Sequence, residues 1–149
     1  MSTLPNVAFH ILNDASQQRS LRYVCQLVEQ AYERQETVYI HTRDAEQAER
    51  VNALLWTYRD DSFLPHQLVP AGGVSETSIQ IGFQTIPDNR TDVLVNLTDH
   101  IPTHLPMCLR IIEIVFADKN VQQLARDRYR QYRAQGCHIE TLNPTLVTQ

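Results

Sequence analysis

Glycine is scarce in this chain of 149 residues, which holds only four: Gly72, Gly73, Gly82 and Gly136. None of them lies in the loop after the first predicted strand, which reads NDASQQ. A loop that cradles a phosphate needs glycines so that its backbone can approach the ligand. The sequence therefore lacks both the P-loop and the dinucleotide-binding fingerprint, and we expect no cofactor.

Cysteine is also rare, because the chain has only Cys25, Cys108 and Cys137, an odd number with wide spacing. This usage suits a reducing compartment better than a disulfide framework. We expect Cys25, on the apolar stripe of a predicted helix, to be a packed thiol and not a nucleophile. No apolar run is long enough to span a membrane, and no secretory signal precedes the first strand. These features predict a cytoplasmic protein without a membrane segment.

Motifs for metal binding and catalysis are missing as well. No Cys-x-x-Cys pair occurs, and Pro102 separates His100 from His104, which argues against one shared helical face. No glycine-flanked serine elbow is present. His10 and His41 lie in apolar strands, where we expect hydrogen-bonded core residues. We therefore expect no metal site, no catalytic residue and no enzymatic activity.

Apolar patterning predicts one α/β domain over residues 1–149. Short apolar runs predict strands at Val7–Leu12, Thr37–His41, Ile79–Phe83, Val93–Leu97, Leu109–Phe116 and about His138–Leu142. Helical spacing predicts a first helix over about Ser20–Gln35, with Ser20 as its N-cap. A second helix is predicted from Thr42 or Asp44 to near Trp56. A third is predicted over Gln122–Arg133, with Asp118 or Asn120 as its N-cap and Gly136 at its end. Thr57–Gly73 is predicted to be a loop and Pro87–Asn89 a turn. This alternation favours a parallel sheet with crossover helices.

The last predicted helix carries an unusual charge. Lys119–Arg133 holds five basic residues and one acid, a balance of +4 in a chain whose net charge is −4, so the remaining residues carry −8. A cationic helix on an anionic body attracts an acidic partner locally while the rest of the surface repels it. The alternative is a solvated helix face without a partner.

Helix geometry divides this segment into two faces. One face holds five residues that can contact a partner: Gln122, Arg126, Tyr129, Arg130 and Arg133. The other face is predicted to pack on the core and holds Val121, Leu124, Ala125 and Tyr132. Arg128 projects into this apolar stripe. Either its aliphatic stem packs there with the guanidinium in water, or it pairs with a buried acid.

A second unusual region runs from Leu54 to His66 and concentrates Trp56, Tyr58 and Phe63 around a helix end and a proline-bearing loop. Aromatic side chains on a loop can anchor a protein–protein interface. The alternative is that Trp56 and Phe63 close the core beneath the loop.

Together these regions resemble a known family. LLW (Leu54–Trp56), DSFLPH (Asp61–His66) and QLARDRYRQYRAQG (Gln123–Gly136) are similar to segments of the chi subunit of bacterial DNA polymerase III. The opening VAFHILND and the central IPDNRTDVLVNL fit the same family. The resemblance spans about Val7–Gly136, and its C-terminal motif is the most specific part.

The resemblance implies a Rossmann-like three-layer sandwich without a nucleotide-binding loop, acting as a non-catalytic accessory subunit of the clamp-loader assembly. It also implies two partners, the psi subunit and the acidic C-terminal tail of single-stranded DNA-binding protein. By motif match the tail site involves Arg126, Tyr129 and Arg130, with Arg133 as a helper. The family usually has lysine at Gln122 and at Arg130. The psi surface includes Trp56 and Phe63.

Another function competes with this one. Interleaved arginine and tyrosine side chains are also typical of proteins that bind single-stranded nucleic acid through phosphates and stacked bases. The acidic remainder of the chain opposes that alternative, because it repels the phosphate backbone. We therefore expect no direct contact with DNA.

Overall fold

The computed structural model describes residues 4–13, 16–57, 65–68, 78–83, 91–102 and 108–144, with the backbone alone for Gln17 and Gln67. Within these ranges the strands are β1 (Asn6–Ile11), β2 (Val38–Thr42), β3 (His66–Leu68), β4 (Ile79–Phe83), β5 (Val93–Asn96), β6 (Arg110–Val115) and β7 (Ile139–Leu142). The helices are α1 (Gln17–Glu33), α2 (Ala45–Thr57) and α3 (Lys119–Ala134).

All seven strands join one parallel sheet in the order β3-β4-β2-β5-β6-β1-β7. The inner strands β1, β2, β5 and β6 carry buried residues on both faces, because helices cover both faces of a parallel sheet. Apolar residues of α1 and α2 pack on one face, and those of α3 pack on the other. The predicted parallel three-layer sandwich is therefore confirmed.

Most predicted strands and helices agree with the structure to within two residues, but two predictions are wrong. Helix α1 begins one turn before Ser20, which is fully buried, and its N-cap is Ser16, whose Oγ accepts the Arg19 N–H at 3.3 Å. The apolar periodicity starts only where α1 reaches the sheet, so it does not show the exposed first turn. The predicted loop Thr57–Gly73 contains strand β3, while the turn predicted at Pro87–Asn89 lies outside the described residues.

The predictions for three core residues, His10, Cys25 and His41, have different outcomes. His10 is buried with its Nδ1 2.6 Å from the Tyr23 hydroxyl, and Cys25 is fully buried, where burial raises the pKa of its thiol to about 12. His41 stacks on Tyr39, but its Nδ1 has no hydrogen-bond partner in the part of the chain described here, so the expected hydrogen bond is not made at that nitrogen. None of the described helices is long and apolar enough to cross a bilayer.

Candidate functional site

Helix α3 carries the basic residues, and both of its ends are fixed as the sequence predicts. The Asp118 Oδ1 accepts the Val121 N–H at 3.0 Å, which satisfies one of the free donors of the first turn. At the other end Gly136 has a φ of 86°, a left-handed conformation that ends helices and favours glycine. Of the two predicted N-caps, Asp118 is therefore the one observed.

The inner face of α3 is held by a buried polar network around Glu113 of β6. Arg128 Nε donates to Glu113 Oε1 at 3.0 Å, and the Tyr132 hydroxyl donates to Oε2 at 2.6 Å. Asn96 Nδ2 donates to the same Oε2 at 2.8 Å. The arginine, the tyrosine and the carboxyl group are all almost completely buried. Arg128 thus takes the second of its two predicted alternatives, an ion pair with a buried acid.

Burial raises the pKa of the Glu113 carboxyl, while the Arg128 guanidinium and the hydrogen bonds from Tyr132 and Asn96 oppose that rise. All three neighbours donate hydrogen bonds, so the arrangement fits a carboxylate that accepts from each of them. Burial, and after it the charge of the same carboxylate, raises the pKa of the Tyr132 hydroxyl, which stays protonated. The network therefore anchors α3 to the sheet at a fixed rotation.

This rotation corrects one prediction about the core stripe. Ala125, Arg128 and Tyr132 are the buried residues of α3, whereas 36% of Leu124 is exposed. Leu124 lies at the margin of the stripe, and placing Arg128 over Glu113 turns that margin toward solvent. Of the four residues predicted for this stripe, Ala125 and Tyr132 are buried and Val121 packs against their cluster, so only Leu124 was misplaced.

The outer face of α3 borders a cavity of about 500 Å³. The residues that line this cavity include all five that the sequence placed on one side of the helix: Gln122, Arg126, Tyr129, Arg130 and Arg133. The other wall consists of Phe9 and Ile11 of β1, Val115 of β6, Ala125 of α3 and Thr141 of β7. The cavity is therefore apolar on the sheet side and cationic on the helix side.

Sequence reasoning did not find this apolar wall. Its main ring is Phe9, whose centroid lies 5.7 Å from that of Tyr129 and 6.0 Å from that of Tyr132. In the structure α3 connects β6 to β7 and crosses the strand that lies between them in the sheet. That strand is β1, and its alternate residues Val7 and Phe9 face the helix.

The cations at the cavity differ in their existing partners. Arg130 Nη1 lies 3.2 Å from Asp127 Oδ1, in an ion pair whose arginine side chain is 73% exposed. Arg126 contacts the neutral Gln123 Oε1 at 3.4 Å. Among the residues described, neither Arg126 nor Arg133 has a carboxylate within 4.0 Å. Their charge is therefore available to an anionic ligand.

The two aromatic residues predicted for a second surface have different outcomes. Trp56 is in the last turn of α2 with half of its side chain exposed, and its ring lies 4.5 Å from that of His66, at an interplanar angle of 53°. Trp56 therefore does not close the core. Phe63 lies outside the described residues. Within the described ranges, no three histidine, cysteine, aspartate or glutamate side chains are placed to hold a metal ion.

Comparison with known proteins gives a consistent result. The family model described as "DNA polymerase III chi subunit, HolC" matches residues 4–140. The chain is similar to the protein named DNA polymerase III subunit chi in Pseudomonas aeruginosa, with 32% identity over 137 residues that cover 92% of this chain and 95% of the relative. The protein of the same name in Escherichia coli is 26% identical over 143 residues, covering 93% and 97%. That of Haemophilus influenzae is 29% identical over 136 residues, covering 91% and 94%.

Among solved structures, the crystal structure of T4 UvsW matches with a TM-score of 0.61 at 9% identity, over 97% of this chain. This chain spans 42% of the length of that structure. At such low identity the likeness concerns the fold alone.

Proposed function

The chain belongs to the family of DNA polymerase III chi subunits, and from this membership we propose that it acts in the cytoplasm as a non-catalytic accessory subunit with two protein-binding surfaces. One surface binds the psi subunit and so connects the chain to the clamp loader. The other binds the acidic C-terminal tail of single-stranded DNA-binding protein. We further propose that residues 1–149 act as one chi-type domain.

The observation that carries the proposal is the cavity beside α3. A tail of acidic residues that ends in apolar side chains and a free carboxylate needs cations next to an apolar slot. Arg126, Arg130 and Arg133 supply the cations, and Phe9 and Ile11 supply the apolar wall. Arginine offers a planar fork of donors to a carboxylate, while the ring of Tyr129 adds apolar contact at the rim of the cavity. The remaining −8 charge repels acidic chains elsewhere.

Exposed charge limits the strength of this interaction. The side chains of Arg126, Arg130 and Arg133 are exposed, and ion pairs at an exposed rim contribute less than desolvated ones. The complex is therefore expected to be modest in affinity and to weaken as salt rises. Gln122, where the family usually has lysine, supplies a hydrogen-bonding amide without a charge at its end of the cavity.

The competing function, direct binding of single-stranded nucleic acid, relies on arginines and tyrosines interleaved on one accessible face. In α3 two of these residues, Arg128 and Tyr132, are buried and hydrogen-bonded to Glu113, so neither can reach a phosphate or a base. This burial disfavours the nucleic-acid alternative. A gel shift of the isolated chain with single-stranded DNA at physiological salt is expected to show no tight complex.

The terminal carboxylate of the tail gives a direct test of the proposed site. We expect a synthetic acidic tail peptide to bind the chain, and the same peptide with an amidated C-terminus to bind about fivefold more weakly, because it loses the charge-assisted bonds to the arginines. Isothermal titration calorimetry at low and physiological salt measures both affinities. Equal affinities for the two peptides would remove the proposed role of the guanidinium groups.

The psi surface is tested separately, at Trp56. We expect Trp56→Ala to weaken binding of psi about fivefold, or about 1 kcal/mol, because aromatic anchors dominate such interfaces. The affinity for the tail peptide should stay unchanged. Phe63→Ala should likewise weaken binding of psi and leave the tail-peptide affinity unchanged. The matched control is Leu109→Ala, which alters a similarly exposed apolar residue immediately before β6. Co-purification of psi at full yield with a folded Trp56→Ala protein would contradict the assignment.

A further inference from the structure

One edge of the sheet lies beside the cavity. Strand β7 is the last strand in the order, and it pairs with β1 on one side only, with Val7 opposite Ile139 and Phe9 opposite Thr141. In the part of the chain that the structure describes, no strand lies on its other side. An edge strand offers a row of backbone donors and acceptors to an added strand.

The register of the β1–β7 ladder shows which backbone groups point outward. Val7 is the ladder partner of Ile139. Its N–H donates to the carbonyl of the preceding residue, His138, at 2.9 Å. In a parallel ladder, the residues that flank a paired residue bond to the opposite strand. The backbone groups of His138, Glu140 and Leu142 therefore face β1, while those of Ile139 and Thr141 face the open edge.

Thr141 connects this edge to the cavity. Its side chain lies on the same face of the sheet as that of Phe9, its partner in the ladder, and both line the cavity below α3. Its backbone N–H and carbonyl lie in the plane of the sheet and point away from β1, toward the open edge. The Glu140 side chain belongs to the opposite face, because side chains alternate along a strand, so its negative charge points away from the cavity.

We propose that the acidic peptide binds as an extended strand that pairs with the outer edge of β7 through the backbone of Thr141. This inference rests on the proposed function, and it names the conformation and the backbone contacts of the same ligand. Peptide recognition by strand addition combines backbone hydrogen bonds with pockets for alternate side chains. Here the cavity lined by Phe9, Ile11 and Tyr129 is such a pocket, and the α3 arginines contact the carboxylates alongside.

Charge favours this occupant over a second copy of the chain. Two copies that paired through their β7 edges would bring two α3 helices, each with a +4 segment, to neighbouring positions. An acidic peptide instead neutralises that charge. The edge also has only four residues, which suits a short peptide better than a stable dimer interface.

The test removes the backbone N–H of Thr141, since proline has no backbone donor. Thr141→Pro abolishes the outward N–H but leaves the β1–β7 hydrogen bonds intact, and proline is tolerated where an edge-strand N–H faces solvent. The matched control, Thr141→Ala, removes the same side chain from the cavity wall and keeps the N–H. We expect calorimetry with the acidic tail peptide to give an affinity about fivefold lower for Thr141→Pro than for Thr141→Ala.

A second measurement uses the unaltered protein and peptides that are N-methylated at one position at a time. Pairing with β7 predicts losses at every second peptide position, following the period of a strand. Equal affinities for the two Thr141 variants, or methylation losses without alternation, would overturn the strand pairing while leaving the binding site intact. If the unmodified peptide does not bind, the proposed function fails instead. If Thr141→Pro converts a dimer to monomers in sedimentation without changing peptide affinity, the edge serves a second copy, and the inference is wrong.

Discussion

Replacement of Glu113 by alanine is expected to lower the free energy of unfolding by about 3–5 kcal/mol, the largest effect of any single substitution considered for this chain. The carboxylate accepts three hydrogen bonds, one of them from a guanidinium that is 2% exposed. Its removal leaves Arg128 as a buried charge without its counter-ion. Urea denaturation followed by circular dichroism measures the loss.

Two further variants identify the cause of that loss. Glu46→Ala removes a carboxylate of the same type from an exposed ion pair with Arg50, at 2.9 Å, and should cost less than about 0.5 kcal/mol. The double variant Glu113→Leu with Arg128→Met replaces both buried charges by apolar groups and should recover part of the stability, because no charge is then left unpaired although the Tyr132 hydroxyl loses its acceptor. A Glu113→Ala protein within about 1 kcal/mol of the original would contradict the role given to the network.

The same network marks the limit of what the sequence could predict. The parallel sheet was predictable, because strands such as Val93–Asn96 are buried on both sides and therefore begin with consecutive apolar residues, here Val-Leu-Val. Helix α3 was predictable from its cap at Asp118 and its glycine end. Arg128 left two alternatives open, since its acid lies 15 residues earlier, on another element, and only the packing of α3 on β6 brings the two together.

The candidate site likewise has one wall that could be predicted from the sequence and one that could not. One wall of the cavity is a single helix face, so the spacing of Gln122, Arg126 and Tyr129 was enough to group them. The other wall combines Phe9, Val115 and Thr141 from three strands that are distant in sequence but adjacent in the sheet. Local periodicity carries no information about strand order, so neither this wall nor the open edge of β7 could be predicted. Strand β3 was missed for a related reason: its three residues are too few to show a pattern.

The second large effect is expected at Arg126. We predict that Arg126→Ala weakens binding of the acidic tail peptide about tenfold, or about 1.4 kcal/mol, and leaves binding of psi unchanged. Arg126 lines the cavity, and its only hydrogen-bond partner among the described residues is the neutral Gln123 at 3.4 Å. The free protein therefore loses no ion pair when this arginine turns to a ligand. Calorimetry at two salt concentrations measures the change.

Arg130 provides an informative comparison on the same face. It is already paired with Asp127 at 3.2 Å, so a ligand must compete with an internal carboxylate. Arg130→Ala is therefore expected to cost less affinity than Arg126→Ala, and Asp127→Asn is expected to strengthen binding slightly by releasing Arg130. Arg50→Ala, which removes an exposed arginine from α2, controls for the general loss of one positive charge. If Arg126→Ala changes peptide affinity no more than Arg50→Ala does, the peptide is attracted by net charge alone, and the cavity beside α3 is not its binding site.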